Sequence, residues 1–426
     1  MKLTCDILDT RLSKPDVIID ATLDRLRNKF VDRRKKHLGY PYNLDFDAEP
    51  ISQFGEFLIN NLGDPYVGSH YGTEVSCVER EVVDWIMRAW ECGDPEEYWG
   101  AVGASGTEGN LWAIYLARET LGNPVLVHSK EAHYSVPKAA KILRIEALTC
   151  EADHTGAICP DALREVIQAN RHRCVILALT CGTTMKGAHD DIASCISVLD
   201  QVGIDPSRRF VHVDGALNAM VLPFVDGLPS GIRPSFRHGI DSISTSGHKM
   251  IGTPMPCGVL VVRREHVRRV ASTVSYLRSH DTTLMGSRNG HAVLAIWNRL
   301  TRLGVAGFRH FARTCIERAD GFAGALRSAS VPVLLNPCSL TVVFPKPSER
   351  LVNEYQLACH GNCAHAIVMP NVKAVSLTAS SATLSPSGPA ILGKRCFHER
   401  SCTDPVSRHR STKALHSLPL RSIHHS

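Results

Sequence analysis

The sequence predicts an α/β fold, with a large domain on a mainly parallel sheet and a smaller C-terminal α/β domain. Three observations lead there. From Tyr98 to Val262, short apolar runs alternate with helical stretches. The turns that follow these runs are rich in Gly, Ser, Thr and Asp, as helix capping favours. After Gly304 the alternation gives way to one long helical stretch and a few separate strands. At 426 residues the chain can bury a large core divided between two domains.

Residues 15–60 read as helix then loop: Val17 to Phe30 has helical apolar spacing, and Gly39-Tyr-Pro-Tyr breaks it. Ser76 to Trp90 is amphipathic, with Val78, Val82, Val83, Ile86 and Trp90 on one side. The expected strands are 99–104, 124–128, 174–180, 210–215, 241–246 and 257–262. Between them lie the helical stretches Glu108–Leu121, Tyr134–Ile142, Pro160–Asn170 and Asp191–Val202. A helix near Arg309–Arg327 leads to VPVLL and SLTVVF, two expected strands, and 356–370 reads as helix, turn and strand. Residues 376–426 hold eleven Ser, seven Lys or Arg and five His with one aromatic, Phe397, a composition expected to be disordered.

Composition is that of an ordinary globular protein, and a net charge of +6 is too slight and scattered to suggest nucleic-acid binding. No apolar run reaches the length of a membrane span, so no membrane association is expected. The N-terminus lacks a basic start followed by an apolar segment, so a cytoplasmic location is expected. The fifteen cysteines are then expected to be reduced and mostly buried. Cys359 and Cys363, beside His360 and His365, have no second pair at finger distance, so no metal is expected.

The chemistry concentrates at strand ends. Lys249 follows Ser244-Thr-Ser246-Gly-His248, a setting that suits an amine stripped of water and therefore nucleophilic. Thirty-five residues upstream stands Asp214, in His212-Val-Asp-Gly-Ala216. Pyridoxal phosphate (PLP) needs such a carboxylate against its pyridine nitrogen, and the small Ala216 lets a ring lie flat. Ala104-Ser105-Gly106-Thr107-Glu108-Gly109-Asn110 places glycines and hydroxyls at a helix N-terminus, a cradle for phosphate. It lacks the GxGxxG and GxxxxGK[ST] patterns of nucleotide sites. His133 and Thr183 complete the set at two further strand ends. Open α/β sheets bind ligands along this edge.

These residues make the chain resemble the group II PLP-dependent amino-acid decarboxylases, within the histidine decarboxylase branch that includes plant serine decarboxylases. The matching stretches are YGTEVSCVEREVVDW, SGTEGN, SKEAHYSVPKAAK, GTTMKGAHDD, HVDGAL, SGHKMIGTPMPCGV, GSRNGHA and QLACHGNCAHAIVMP, from about Asn60 to Asn371. The resemblance implies PLP-dependent fold type I, the aspartate-aminotransferase type, and a homodimer with shared active sites. It implies a helical dimerisation segment over 1–60, a PLP-binding domain over 61–303 and a small domain over 304–375. In roles, it implies Lys249 as the Schiff-base lysine, Asp214 on the pyridine nitrogen and His133 stacked on the ring. Ser105, Gly106, Thr107 and His248 would surround the phosphate, Ser246 would also contact the cofactor, and Thr183 and Ala216 would lie near the ring. Ser287 would reach the phosphate of the neighbouring subunit, and Tyr276 would face the substrate. Lys249, Tyr276 and a path through His133 are all candidates for the proton donor. The implied reaction is decarboxylation of an L-amino acid, a small-molecule substrate, first L-serine to ethanolamine, with L-histidine to histamine as the rival. The Ser/His/Arg-rich stretch after about Lys373 replaces the family's closing helix and raises a third reading, a catalytically silent homologue.

Overall fold

The computed structural model describes residues 15–373. Its centre is a seven-stranded sheet: β1 (Tyr98–Gly103), β2 (Val125–Ser129), β3 (Glu146–Cys150), β4 (Val175–Thr180), β5 (Arg209–Asp214), β6 (Ser242–Ser246) and β7 (Gly258–Arg263). Their spatial order is β1-β7-β6-β5-β4-β2-β3, and only β7 runs antiparallel to its neighbours. The other six strands therefore end along one edge of the sheet.

Both faces of the central strands are buried, which explains why most of them read as apolar runs rather than alternations. In β4, Val175, Leu177 and Leu179 enter one core while Ile176 and Ala178 enter the other. The first core includes Ile86, Met87 and Trp90 of α2 (Ser76–Ala89 and its cap). The second includes Trp112, Ile114 and Leu116 of α3 (Gly106–Leu121), with Trp112 edge-on to Trp99 at 5.3 Å. Each aliphatic side chain fully buried this way contributes about 1.5–3 kcal/mol.

Two strands differ from the sequence expectation. Glu146–Cys150 forms β3, at the edge of the sheet, where four of its five residues keep some exposure. VPVLL forms no strand; only Leu334 bridges to Val343. The segment expected as helix, turn and strand is instead a hairpin. Helix 349–355 ends at Gln356, and Ala358–His360 then pairs with Cys363–Ile367 across a turn at Gly361. With Thr341–Pro345 these make a three-stranded antiparallel sheet. In the hairpin Cys359 lies opposite Ala364 and His360 opposite Cys363, which puts the two cysteines on opposite faces. The expected tail, 376–426, lies outside the described residues.

The first helix, α1 (Asp16–Arg34), exposes Val17, Ile18, Ile19, Leu23, Phe30 and Val31 and buries only Thr22. The long helix Gly290–Ser328 is interrupted at Gly304, whose φ of 54° is not helical. Cys181, Cys195, Cys257 and Cys315 are buried, and burial raises the pKa of each thiol. Among the described residues, no helix is long and apolar enough to cross a membrane.

Candidate active site

The functional side chains sit where the parallel strands end, because strand periodicity sorts them onto one face. In β5, Phe210, His212 and Asp214 share the face covered by α3, and in β6 Ser242, Ser244 and Ser246 share it too. Two glycines let α3 come close. A Cβ on Gly106 would lie 2.5 Å from the Ser246 hydroxyl and 3.4 Å from the Ala216 methyl. A Cβ on Gly109 would lie 2.8 Å from that of Ser244. Alanine at 109 would push the helix from the strand ends, and alanine at 106 would force the Ser246 hydroxyl to turn away.

Lys249 follows β6 in a tight turn closed by Gly252 at φ +82°. It keeps partial exposure, yet enough protein surrounds the amine that desolvation lowers its pKa, with the Asp214 carboxylate opposing. A lysine in that state yields a neutral, nucleophilic amine more readily than one in water. Asp214 is fixed at both oxygens: Oδ1 accepts from the Ala216 N–H at 3.1 Å and Oδ2 from the Asn110 amide at 2.7 Å. His133 follows β2. Desolvation lowers its pKa most, Asp214 raises it, and Lys249 and Lys138 lower it. Lys249, Asp214 and His133 therefore lie within electrostatic reach of one another.

At the start of α3, Ser105 caps the helix by accepting from the Glu108 N–H at 3.2 Å. The carboxylate of Glu108 turns back to the Ala104 N–H. The N–H groups of Gly106 and Thr107 have no partner within the helix, as the geometry of a helix start requires. Beside them, His248 exchanges contacts with the Cys257 backbone and tilts on Tyr42 at 5.7 Å. Thr183 accepts from the Ala188 N–H at 3.0 Å, closing the turn after β4.

Tyr276 and Ser287 stand outside this cluster. Tyr276, on a hairpin between Ser272–Val274 and Ser279–Asp281, is 84% exposed. Ser287 is exposed and accepts from Asn60 at 3.1 Å, in a two-stranded ribbon with Asn60–Leu62. Asn110, Ser135, His212 and Ser244, to which sequence reasoning gave no role, are buried in one hydrogen-bonded network with Asp214. The signal that could have found them is positional: His212 and Ser244 share strand faces with Asp214 and Ser246. Asn110 lies one helical turn beyond Gly106.

An activated amine, a carboxylate held by two donors and an unfilled helix start suit a cofactor that carries an aldehyde, a ring nitrogen and a phosphate. Comparison with known proteins agrees. The pyridoxal-dependent decarboxylase conserved domain matches residues 56–344. Serine decarboxylase 1 of Oryza sativa subsp. japonica is 42% identical over 369 residues, covering 86% of this chain and 75% of that protein. A histidine decarboxylase of Acinetobacter baumannii is 40% identical, covering 78% of this chain and 85% of its own. Among solved structures, L-methionine decarboxylase from Streptomyces sp.590 superposes with a TM-score of 0.80 at 26% identity, covering 90% of this chain and 98% of that one. The fold is thus PLP-dependent fold type I, and PLP is the cofactor. The chain belongs to the pyridoxal-dependent decarboxylase family, in its serine and histidine decarboxylase branch, and is a PLP-dependent amino-acid decarboxylase.

Proposed function

We propose that the chain converts L-serine to ethanolamine and CO2, with PLP bonded to the amine of Lys249 as a Schiff base. The observation that carries the substrate choice is the 42% identity to a rice serine decarboxylase across 86% of the chain. The rival is L-histidine, supported by the 40% identity to a bacterial histidine decarboxylase over a shorter span. Against a catalytically silent homologue stands the assembled cluster of Lys249, Asp214 and His133.

When bound, PLP supplies a conjugated ring that accepts the electron pair left as CO2 departs. The protein's share is positioning and fixed charge. Asp214 holds negative charge where the ring nitrogen must stay protonated. His133 lies against the ring. Ser105, Gly106, Thr107, Ser246 and His248 would hold the phosphate, with Ala216 and Thr183 near the ring. Ser287 serves the phosphate of a neighbouring subunit, in line with its exposure. Tyr276 serves substrate from its exposed hairpin, and it, Lys249 and His133 remain the candidate proton donors.

The same account makes the protein a cytoplasmic homodimer, with residues 1–60 as its dimerisation segment, 61–303 holding PLP and 304–375 forming the small domain. The exposed apolar side chains of α1 are candidates for what a second copy would cover. Sedimentation as a monomer of 46.7 kDa in the presence of PLP would contradict the dimer.

The test is to supply serine and histidine separately to purified protein with PLP and assay amine and CO2. Ethanolamine with CO2 is expected. Histamine would transfer the assignment to the rival, and neither product would remove both.

A further inference from the structure

Asn110 is 1% exposed and uses every hydrogen-bonding group it has. Its two amide protons go to Asp214 Oδ2 at 2.7 Å and Ser135 Oγ at 2.9 Å. Its carbonyl oxygen meets His212 Nε2 at 2.9 Å and Ser244 Oγ at 3.0 Å. Ser135, His212, Ser242 and Ser244 around it are all no more than 1% exposed. An unmet polar group in such a place is costly, so the donors and acceptors can be assigned one after another.

The Asp214 carboxylate only accepts, which makes the neighbouring Asn110 atom the NH2 and fixes the orientation of the amide. Its oxygen then only accepts, so His212 must carry its proton on Nε2 and Ser244 must donate. His212 Nδ1 accepts in turn from Ser242 Oγ at 2.8 Å. On the other side, the Ser135 hydroxyl receives an Asn110 proton and has its own hydrogen to give. That hydrogen goes to His133 Nδ1 at 2.7 Å, which also faces the Ser135 backbone N–H at 3.3 Å. Two donors converge on His133 Nδ1, so its proton resides on Nε2.

We infer that Asn110 is a positioning residue that, through Ser135, locks His133 in its Nε2-protonated tautomer while it holds the Asp214 carboxylate in place. One amide thereby sets the state of both groups assigned to the cofactor ring. Nε2 becomes the end of the His133 ring from which a proton can be given. The close approach of the helix to the sheet at Gly109 brings the neighbouring Asn110 within reach of both Asp214 and Ser244. The link to catalysis rests on the proposed function, but the locked tautomer does not.

The test therefore begins with the apoenzyme. Nitrogen-15 NMR of histidine-labelled protein, with His133→Gln to assign the signal, reads the tautomer of His133 directly. In the wild type a single Nε2-protonated form is expected. Ser135→Ala should give a mixture of tautomers, with the melting transition retained, and Ser135→Thr should restore the single form. Asn110→Asp, which replaces the donor by a second carboxylate oxygen facing Asp214, should weaken PLP binding by the apoenzyme by about tenfold or more. In the holoenzyme, Ser135→Ala should lower kcat about tenfold, the scale of one lost hydrogen bond, with KM within about twofold. A mixture of tautomers already present in the wild type, or an unchanged single form in Ser135→Ala, would overturn the inference. If Asn110→Asp fails to fold, the Ser135 pair still decides. A locked tautomer in a protein that forms no amine would sustain this inference while removing the proposed function.

Discussion

Lys249 and Asp214 pull against each other. Burial lowers the pKa of the lysine and the carboxylate partly restores it. Asp214→Asn removes the restoring charge, so the amine should lose its proton at lower pH than in the wild type. The rate at which the apoenzyme captures PLP should then rise at lower pH, read from its absorbance across a pH series. In the same variant kcat should fall about 10²–10³-fold, the scale of removing one preorganised electrostatic partner. A capture profile displaced to higher pH would contradict the coupling. At this scale the sequence was legible where chemistry shows in residue type. A lysine after Ser-Gly-His and an aspartate in His-Val-Asp-Gly-Ala stand out at strand ends. Asn110, Ser135 and Ser244 do not, because common polar residues carry no chemical signature until the fold converges them on one point.

At the scale of elements, one buried ion pair ties the parts that surround the site. Arg288, in the ribbon that carries Ser287, pairs with Glu79 of α2, and both side chains are 2% exposed or less. Glu79 also accepts from Asn61 and from the Val102 N–H of β1, while Arg288 reaches the Gly63 and Val102 carbonyls. Arg288→Met leaves Glu79 buried without its cation and should cost roughly 3–5 kcal/mol. The double change Glu79→Gln with Arg288→Met should recover part of that loss, as read by urea unfolding. A loss below about 1 kcal/mol for the single variant would contradict the clamp. The parallel strands were legible because burial on both faces leaves unbroken apolar runs. β3 was not, since an edge strand keeps exposed residues such as Glu146 and Thr149. The 358–367 hairpin was hidden by helix-compatible residues on either side of Gly361, whose positive φ makes the turn.

For the whole molecule, the acid limb of stability follows from buried imidazoles. Burial lowers the pKa of His189 and of His212 to about 4, against an ordinary 6.5. Between those values the unfolded chain holds more protons, so stability is fully present above about pH 6.5 and falls as pH drops toward 4. His128, His248 and His365 are lowered by burial and act in the same direction. Asp190 acts against them: burial raises its pKa from 3.8 to about 6, so the folded state holds an extra proton in that window. Burial raises the pKa of Glu108 in the same sense as Asp190. The histidines outnumber these two carboxyls, which leaves a net loss, and the melting temperature should fall between pH 7 and pH 5. His189→Gln should flatten that fall, and a melting temperature that rises on acidification would contradict the account. The division between the seven-stranded and the three-stranded sheet was visible at this scale in the change of pattern after Gly304. The exposure of the apolar residues of α1 was not, because their spacing was read as that of a helix packed within its own subunit.

The central claim is that the cluster at the strand ends holds PLP through one particular lysine. Borohydride reduction of the holoenzyme fixes the cofactor to whatever amine bears it, and mass spectrometry of the digested chain then locates the pyridoxyl group. The account predicts one labelled peptide, modified at Lys249, and no label there in Lys249→Ala. A label on another lysine of the wild type, or none on folded protein incubated with PLP, would contradict it.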